Sequence, residues 1–253
     1  MTNRLLAAFV FFTRLPFWRI REVPAECFKH VVNYWPFAGW LTGGTMAATL
    51  WISAQILPLS VAVLLALLAR LLLTGCLHED GLADFFDGFG GGTNRERTLA
   101  IMKDSHIGSY GVIGLIVYFS LMWSLLSTLP LTLACTAILA GDAWSKFCAG
   151  QQINFLPYAR KEEESKAKVV YNRMPPGAFI FAFISGVVPA VVFLPSSMFW
   201  LAGLMPLVTT AFLILLMKKR LQGYTGDCCG AVFLLSELTF YFGINIVYQI
   251  YIN

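Results

Sequence analysis

Charge is scarce in this sequence. Asp, Glu, Lys and Arg make up 13% of its 253 residues, against about 25% in an ordinary soluble domain. That shortage excludes a wholly water-solvated globule. With 58% hydrophobic residues and a mean hydropathy of +0.70, it predicts an integral membrane protein. Paired cysteine motifs are missing too. Cys27, Cys76, Cys135, Cys148 and the adjacent Cys228 and Cys229 form no Cys-x-x-Cys unit, which argues against a zinc site or a disulfide framework. No Gly-Lys-[Ser/Thr] follows the glycines after Asp87, so P-loop nucleotide hydrolysis is disfavoured. His78-Glu79 does not open a His-Glu-x-x-His metalloprotease motif, because position 82 is Leu. A cleavable signal pattern with a small-residue exit site is absent. The net charge of +4 is modest, and no nucleic-acid partner is expected.

What the chain does have is long apolar runs. A spanning helix needs about 20 apolar residues. Windows near 35–57, 60–78, 108–129, 131–150, 175–195, 198–217 and 228–250 qualify, so the expected fold is all-α and polytopic, with about seven transmembrane helices in one domain over 1–253. Residues 1–33 form an N-terminal segment whose apolar stretch, Leu5 to Trp18, is broken by Arg14 and Pro16. It reads as a helix lying at the membrane interface, against the lipid bilayer. Lysine and arginine fall on one side of this layout. Arg4, Arg14, Arg19, Arg21 and Lys29 precede the first span, and Arg95, Arg97 and Lys103 follow the second. Arg160, Lys161, Lys166, Lys168 and Arg173 follow the fourth, and Lys218, Lys219 and Arg220 the sixth. The positive-inside rule then places the N-terminus and the long loops in the cytoplasm and the C-terminus outside.

The cytoplasmic segment 78–107 is rich in Asp and Gly. Asp80, Asp84 and Asp87 follow the i, i+4, i+7 spacing that puts them on one face of a helix. Such a stripe repels itself unless something positive binds there, and a hard divalent cation is the natural candidate. Gly88, Gly90, Gly91 and Gly92 follow, then Thr93-Asn94-Arg95-Glu96, a capping box that predicts a new helix running to about Ser105. Glycines allow close backbone approach, and a helix N-terminus receives anions. Carboxylates, Gly90 and Gly91, and then Arg95 and Arg97 suit a metal-bound diphosphate. Lys103 is a further phosphate contact, and Asp104 a metal ligand or its orienter.

Three more carboxylates stand out. Asp142 and Glu237 sit inside apolar runs, where charge is costly and marks function by default. Arg70 could neutralise Glu237, and Lys146, one turn beyond Asp142, could pair with it. Asp227 lies at the cytoplasmic mouth of the last span, as a helix N-cap, a ligand, or both. Trp18, Trp35, Trp40 and Trp144 fit an interfacial belt or stacking on a flat ligand. Glu162-Glu163-Glu164 reads as solvated surface.

Taken together, Asp80-Gly81-Leu82-Ala83-Asp84-x-x-Asp87-Gly88, Ile101-Met102-Lys103-Asp104-Ser105-x-Ile107-Gly108-x-Tyr110-Gly111, Thr225-Gly226-Asp227-x-x-Gly230-Ala231 and the early Phe12-Thr13-Arg14-Leu15-Pro16 resemble the cobalamin synthase family. These are the adenosylcobinamide-GDP ribazoletransferases of vitamin B12 assembly. Glu79 and His106 depart from the family's usual apolar and Arg residues. The resemblance implies a Mg²⁺-dependent transferase of the bacterial inner membrane. In it the ribose hydroxyl of α-ribazole, or of its 5′-phosphate, attacks the cobinamide-side phosphorus of adenosylcobinamide-GDP, and GMP leaves. On this reading Asp80, Asp84 and Asp87 hold the metal. Asp104 or Asp227 completes the metal shell or takes the hydroxyl proton, and Arg95, Arg97 and Lys103 offset phosphate charge, with Gly90, Gly91, Asp142 and Glu237 counted as substrate contacts. Self-association stays open. Two other readings are a CDP-alcohol-type lipid head-group phosphotransferase and an ion-coupled transporter using Asp142 and Glu237. The first has only an analogous motif, since Asp84 stands where Asp-Gly-x-x-Ala-Arg has Ala. The second expects an internal repeat, and none is evident.

Overall fold

The computed structural model describes residues 2–160 and 169–252; Lys161, Lys166, Lys168 and the Glu162–Glu164 run lie outside the described residues. The described residues are mostly helical: α1 (Thr2–Phe12), α2 (Trp35–Ser53), α3 (Leu59–Thr74), α4 (Leu77–Gly91), α5 (Arg95–Lys103), α6 (Ser109–Ser127), α7 (Leu131–Gly150), α8 (Gln152–Phe155), α9 (Pro176–Phe193), α10 (Leu204–Arg220) and α11 (Gly226–Ile252). Short 3₁₀ segments cover Phe17–Arg19, Ala25–Tyr34 and Ser197–Gly203. An isolated bridge between Tyr158 and Tyr224 is the only β pairing among the described residues.

All seven expected windows are helical. Among the described residues, four stretches are long and apolar enough to cross a membrane: Ser109–Ser127, Pro176–Phe193, Ser197–Arg220 and Gly226–Ile250. A fifth arises if α3 and α4, bent by 93° at their junction, are taken as one span. Expected spans α2 and α7 differ because they are rich in Gly, Thr and small residues and face other helices rather than lipid. Gly39 and Gly43 on α2 let it close on α7: a Cβ on Gly39 would lie 3.0 Å from the Ala143 Cα. Small residues four apart are the usual means of tight packing between membrane helices. The core is organised around α11. Of its window, 72% is buried, against 22–28% for the other three apolar stretches, whose outer faces carry exposed residues such as Ile113, Ile184 and Phe212.

The bend between α3 and α4 has a local cause. Gly75 and Cys76 both adopt left-handed φ values, 65° and 58°, which end α3. Arg14 is laid against this turn: its guanidinium occupies the place a Gly75 side chain would take, and its backbone N–H donates to the Leu73 carbonyl at 2.7 Å. A cation at a helix C-terminus is favourable. The Phe12-Thr13-Arg14-Leu15-Pro16 segment is thus a brace for the bend that turns α4 away from α3.

Two clusters pair most of the buried charge, and Glu79, also buried, lies 3.9 Å from Arg70 with neither oxygen hydrogen-bonded among the described residues. Arg70 on α3 donates through Nη1 to both Glu237 oxygens, at 2.6 and 2.8 Å, and through Nη2 to Tyr118 Oη at 3.0 Å. Tyr241 donates to Glu237 at 2.9 Å. Lys146 pairs with Asp142 and Thr42, and its ammonium sits 4.7 Å from the Phe233 ring centre. Breaking one member of such a pair strands the other. Arg70→Met should therefore cost about 3–5 kcal/mol, whereas Arg70→Met with Glu237→Met should recover part of that loss, Glu79 still lacking its cation. Thermal unfolding in detergent checks this; a double variant melting no higher than Arg70→Met would show that the pair is not the source of the cost.

Candidate functional site

Two helix N-termini meet at one end of the bundle. α4 begins beyond the bend and carries Asp80 in its first turn and Asp84 one turn later; α11 carries Asp227 in its first turn. The two helices cross at backbone contact. A Cβ on Gly81 would lie 2.8 Å from the Asp227 carbonyl, and a Cβ on Gly230 would lie 2.9 Å from the His78 carbonyl. Each helix therefore places a glycine where the other's backbone passes. As a result, carboxylate oxygens of Asp80, Asp84 and Asp227 all come within 4.8 Å of one another. Thr225 caps α11, its Oγ1 accepting from the Cys228 N–H at 3.4 Å, and this leaves the Asp227 carboxylate to face the cluster. The N-terminal ends of both helix dipoles favour negative charge there, by about 0.3–1 kcal/mol each. An all-oxygen set of this kind fits a hard divalent cation.

Asp87 is placed differently. It lies two turns beyond Asp80 and is buried, and its oxygens accept the N–H groups of Gly108 at 2.7 Å and Gly111 at 2.8 Å. It caps α6 from a neighbouring helix. Asp227, and not Asp87, completes the group with Asp80 and Asp84.

The expected glycine cradle is also helical. α4 continues through Gly91, and Gly88 and Gly90 serve packing: their Cβ positions fall 2.4 Å from Met102 Cγ and 2.6 Å from the Tyr110 ring. Gly91 faces Ile101, at 3.4 Å. The following helix starts as expected, but Asn94 rather than Thr93 supplies the cap, accepting from the Arg97 N–H at 2.8 Å.

Arg95 ties loops together. It donates to the carbonyls of Leu221 at 2.8 Å and Ala159 at 2.7 Å. Arg97 is exposed. Lys103 lines an open groove of about 540 Å³ together with Arg95, Glu96 and Arg160. Asp104 is exposed and lies outside the cluster, 2.7 Å from the His106 ring nitrogen. Hydrogen bonds from the His106 backbone and ring hold its carboxyl below the usual range. Asp142 and Glu237, expected as substrate contacts, are locked in the buried pairs described above.

Beside the cluster is a cavity of about 300 Å³ whose lining includes Asp80, Asp227, Phe12, Trp35, His78 and Tyr171. Of the four tryptophans, Trp35 lies here. Trp40 and Trp144 donate to the carbonyls of Ser185 and Gly203, and Trp18 is exposed. Sequence reasoning missed Arg160, which reads as one more residue of a basic loop. Its side chain is 4% exposed, sits 4.0 Å from Asp227, and lines both cavity and groove. It also missed His78, whose only local signal is the start of an incomplete His-Glu-x-x-His pattern.

A polytopic helical protein with three carboxylates at the rim of an aromatic cavity, next to a basic groove, has the make-up of a membrane-embedded phosphotransferase. The chain belongs to the cobalamin-5-phosphate synthase family, whose model matches residues 4–245. A Leptospira interrogans protein called adenosylcobinamide-GDP ribazoletransferase is 35% identical over 96% of this chain and 95% of its own length. Proteins of the same name from Shewanella baltica and Shewanella oneidensis are each 36% identical, covering 96% and 94% of this chain and 93% and 91% of theirs. No solved structure matches.

The crossing glycines give a direct test. Gly81→Ala or Gly230→Ala must push α11 off α4, so Mn²⁺ affinity should fall by about tenfold or more. Gly177→Ala, whose Cβ meets nothing within 4 Å, should leave it unchanged. Titration of purified protein reads the difference; equal affinities would detach the cluster from the crossing.

Proposed function

We propose that the chain joins α-ribazole, or its 5′-phosphate, to adenosylcobinamide-GDP, giving adenosylcobalamin or its 5′-phosphate and GMP. Family membership supports the reaction, and the gathered Asp80, Asp84 and Asp227 carboxylates are the observation that carries the mechanism. These three residues would hold Mg²⁺. The ion supplies charge neutralisation on the diphosphate and acidifies a nearby hydroxyl.

The chain's own groups do the rest. Phosphoryl transfer is mainly positioning and electrostatic stabilisation. Arg160, between the cavity and the groove, and Lys103, in the groove, meet the diphosphate's negative charge. The acceptor hydroxyl oxygen bonds to the cobinamide-side phosphorus, the bond from that phosphorus to the bridging oxygen breaks, and GMP departs with that oxygen. Asp80 and Asp227 line the cavity, so one of their oxygens receives the hydroxyl proton. Asp104 is exposed and lies outside the cluster, so it is not placed to take that proton. Asp87 acts through α6, as a cap.

We also place the site on the cytoplasmic face of a bacterial inner membrane. The basic loops support this orientation, because they gather at the same end as the cluster: Arg95 bonds Ala159, Arg160 bonds Leu99 and Arg220 bonds Gly92.

Purified protein incubated with adenosylcobinamide-GDP, α-ribazole and Mg²⁺ should release GMP and form a product with the mass of a cobalamin. Asp84→Asn and Asp227→Asn should each slow release by about 100- to 1,000-fold, the several kcal/mol expected of a lost metal ligand. Unchanged turnover in Asp227→Asn, or full turnover in EDTA, would contradict the mechanism.

A further inference from the structure

The segment that braces the bend also has an outward face. Phe17 packs inward on Phe9 of α1, ring centres 5.2 Å apart, and so fixes the short 3₁₀ turn Phe17–Arg19 to the molecule. Trp18 and Ile20 are then left 53% and 71% exposed, with Leu15 exposed shortly before them. Arg14, Arg19 and Arg21 are interspersed with these apolar residues and are exposed as well. Arg21 is oriented by Asn3, its Nη1 donating to Oδ1 at 3.1 Å. Within residues 14–22 the three arginines stand against one acid, Glu22, which leaves a local net charge of +2. The height of this segment is set by α3. Val61, Leu64, Leu68 and Leu72 form an exposed apolar stripe at helical spacing along α3, as on the lipid-facing side of a membrane helix. The stripe ends at Leu72, and the Arg14 N–H bonds the next carbonyl, that of Leu73. Residues 14–21 therefore leave α3 where its lipid-facing side gives way to polar surroundings.

We propose that residues 14–21 are a docking surface for the head group of an anionic phospholipid, with Trp18 and Ile20 entering the bilayer interface and Arg19 and Arg21 holding the phosphate, while Arg14 adds to the local positive charge. Tryptophan and arginine are the side chains that settle at the membrane–water boundary, the one by its amphipathic ring and the other by reaching to head groups. The surplus positive charge selects among lipids. A zwitterionic head group cancels its own phosphate charge, whereas an anionic one does not, and guanidinium pairs with phosphate in a two-pronged geometry. A soluble phosphate compound would leave the exposed indole and Ile20 with nothing apolar to enter, and a bilayer covers both. Continuity with the α3 stripe favours lipid over a protein partner for the same reason. A lipid held here also restrains the segment whose Arg14 braces the bend ahead of α4. The proposal rests on the membrane reading of the helices and is independent of the transfer reaction.

The test places the full chain in nanodiscs of mixed phosphatidylcholine and phosphatidylglycerol. One lipid at a time carries brominated acyl chains, which quench tryptophan fluorescence on contact. Seven tryptophans report together, so the share of Trp18 is the difference between wild type and Trp18→Phe. That share should give an association constant for phosphatidylglycerol about tenfold above that for phosphatidylcholine, the value of two arginines partly offset by Glu22. In the background of Arg19→Gln with Arg21→Gln, the same difference should give a ratio of about one. Added GDP should leave the wild-type ratio unchanged. Equal total quenching by the two brominated lipids in wild type, an arm that needs no variant, overturns the proposal. So does quenching that Trp18→Phe leaves unaltered, since Trp18 would then lie away from lipid. A preference that survives the loss of both arginines, or one that GDP abolishes, overturns it as well, the latter by making the arginines a site for soluble phosphate. Turnover enters none of these arms, so their failure leaves the transfer reaction standing.

Discussion

Everything at the site depends on how closely α4 and α11 cross. Two helices bearing ordinary side chains pack about 8–10 Å apart. At Gly81 and Gly230 the side chain is missing on each helix where the other's backbone passes, and the two N-terminal turns come together. Asp80 and Asp84 on one helix and Asp227 on the other become neighbours, although they are far apart in the chain. The 93° bend braced by Arg14 sets the direction from which α4 arrives. Any shift at the bend or the crossing therefore changes the spacing of the carboxylates before it changes anything else.

Charge is sorted by depth. In the core it is held mainly in two clusters, Arg70 with Glu237 and two tyrosines and Lys146 with Asp142 and Thr42, with buried Glu79 3.9 Å from Arg70. Such pairs hold α2, α3, α6, α7 and α11 in register and engage Asp142 and Glu237, the two acids inside apolar runs. Around the site, arginines act as ties between loops, with Arg95, Arg160 and Arg220 each bonded to backbone carbonyls. In the cluster, carboxylate oxygens from two helices converge within 4.8 Å of one another, with Arg160 4.0 Å from Asp227, and this convergence is the physical argument for a bound cation.

Much of this was legible in the sequence. Long apolar runs marked all seven helical windows, because backbone groups in a bilayer must bond within their own helix. Asp80 and Asp84 stood out by spacing. Asp87 was grouped with them because the 3.6-residue period returns to the same face after seven residues, although it also advances by about 10 Å along the helix. Its true partners, the amides of Gly108 and Gly111, are a tertiary fact. Asp227 could not be joined to the cluster from local pattern, since only the crossing brings it near. The glycines of α4 were visible, but a glycine needed for a ligand and one needed for Met102 or Tyr110 look alike in sequence. Asp142 and Glu237 marked themselves by depth. Their cations, Lys146 and Arg70, were candidates, but the closing geometry was not readable. Arg160 and His78 carried no signal that set them apart from a basic loop and a helix start.

The central claim is that α4 and α11 together make one cation site. The most direct measurement is the position of Mn²⁺, standing in for Mg²⁺, located by its anomalous scattering in crystals of the protein. The account predicts a peak among the carboxylates of Asp80, Asp84 and Asp227. A peak at Asp87 instead, or none at saturating Mn²⁺, would contradict it.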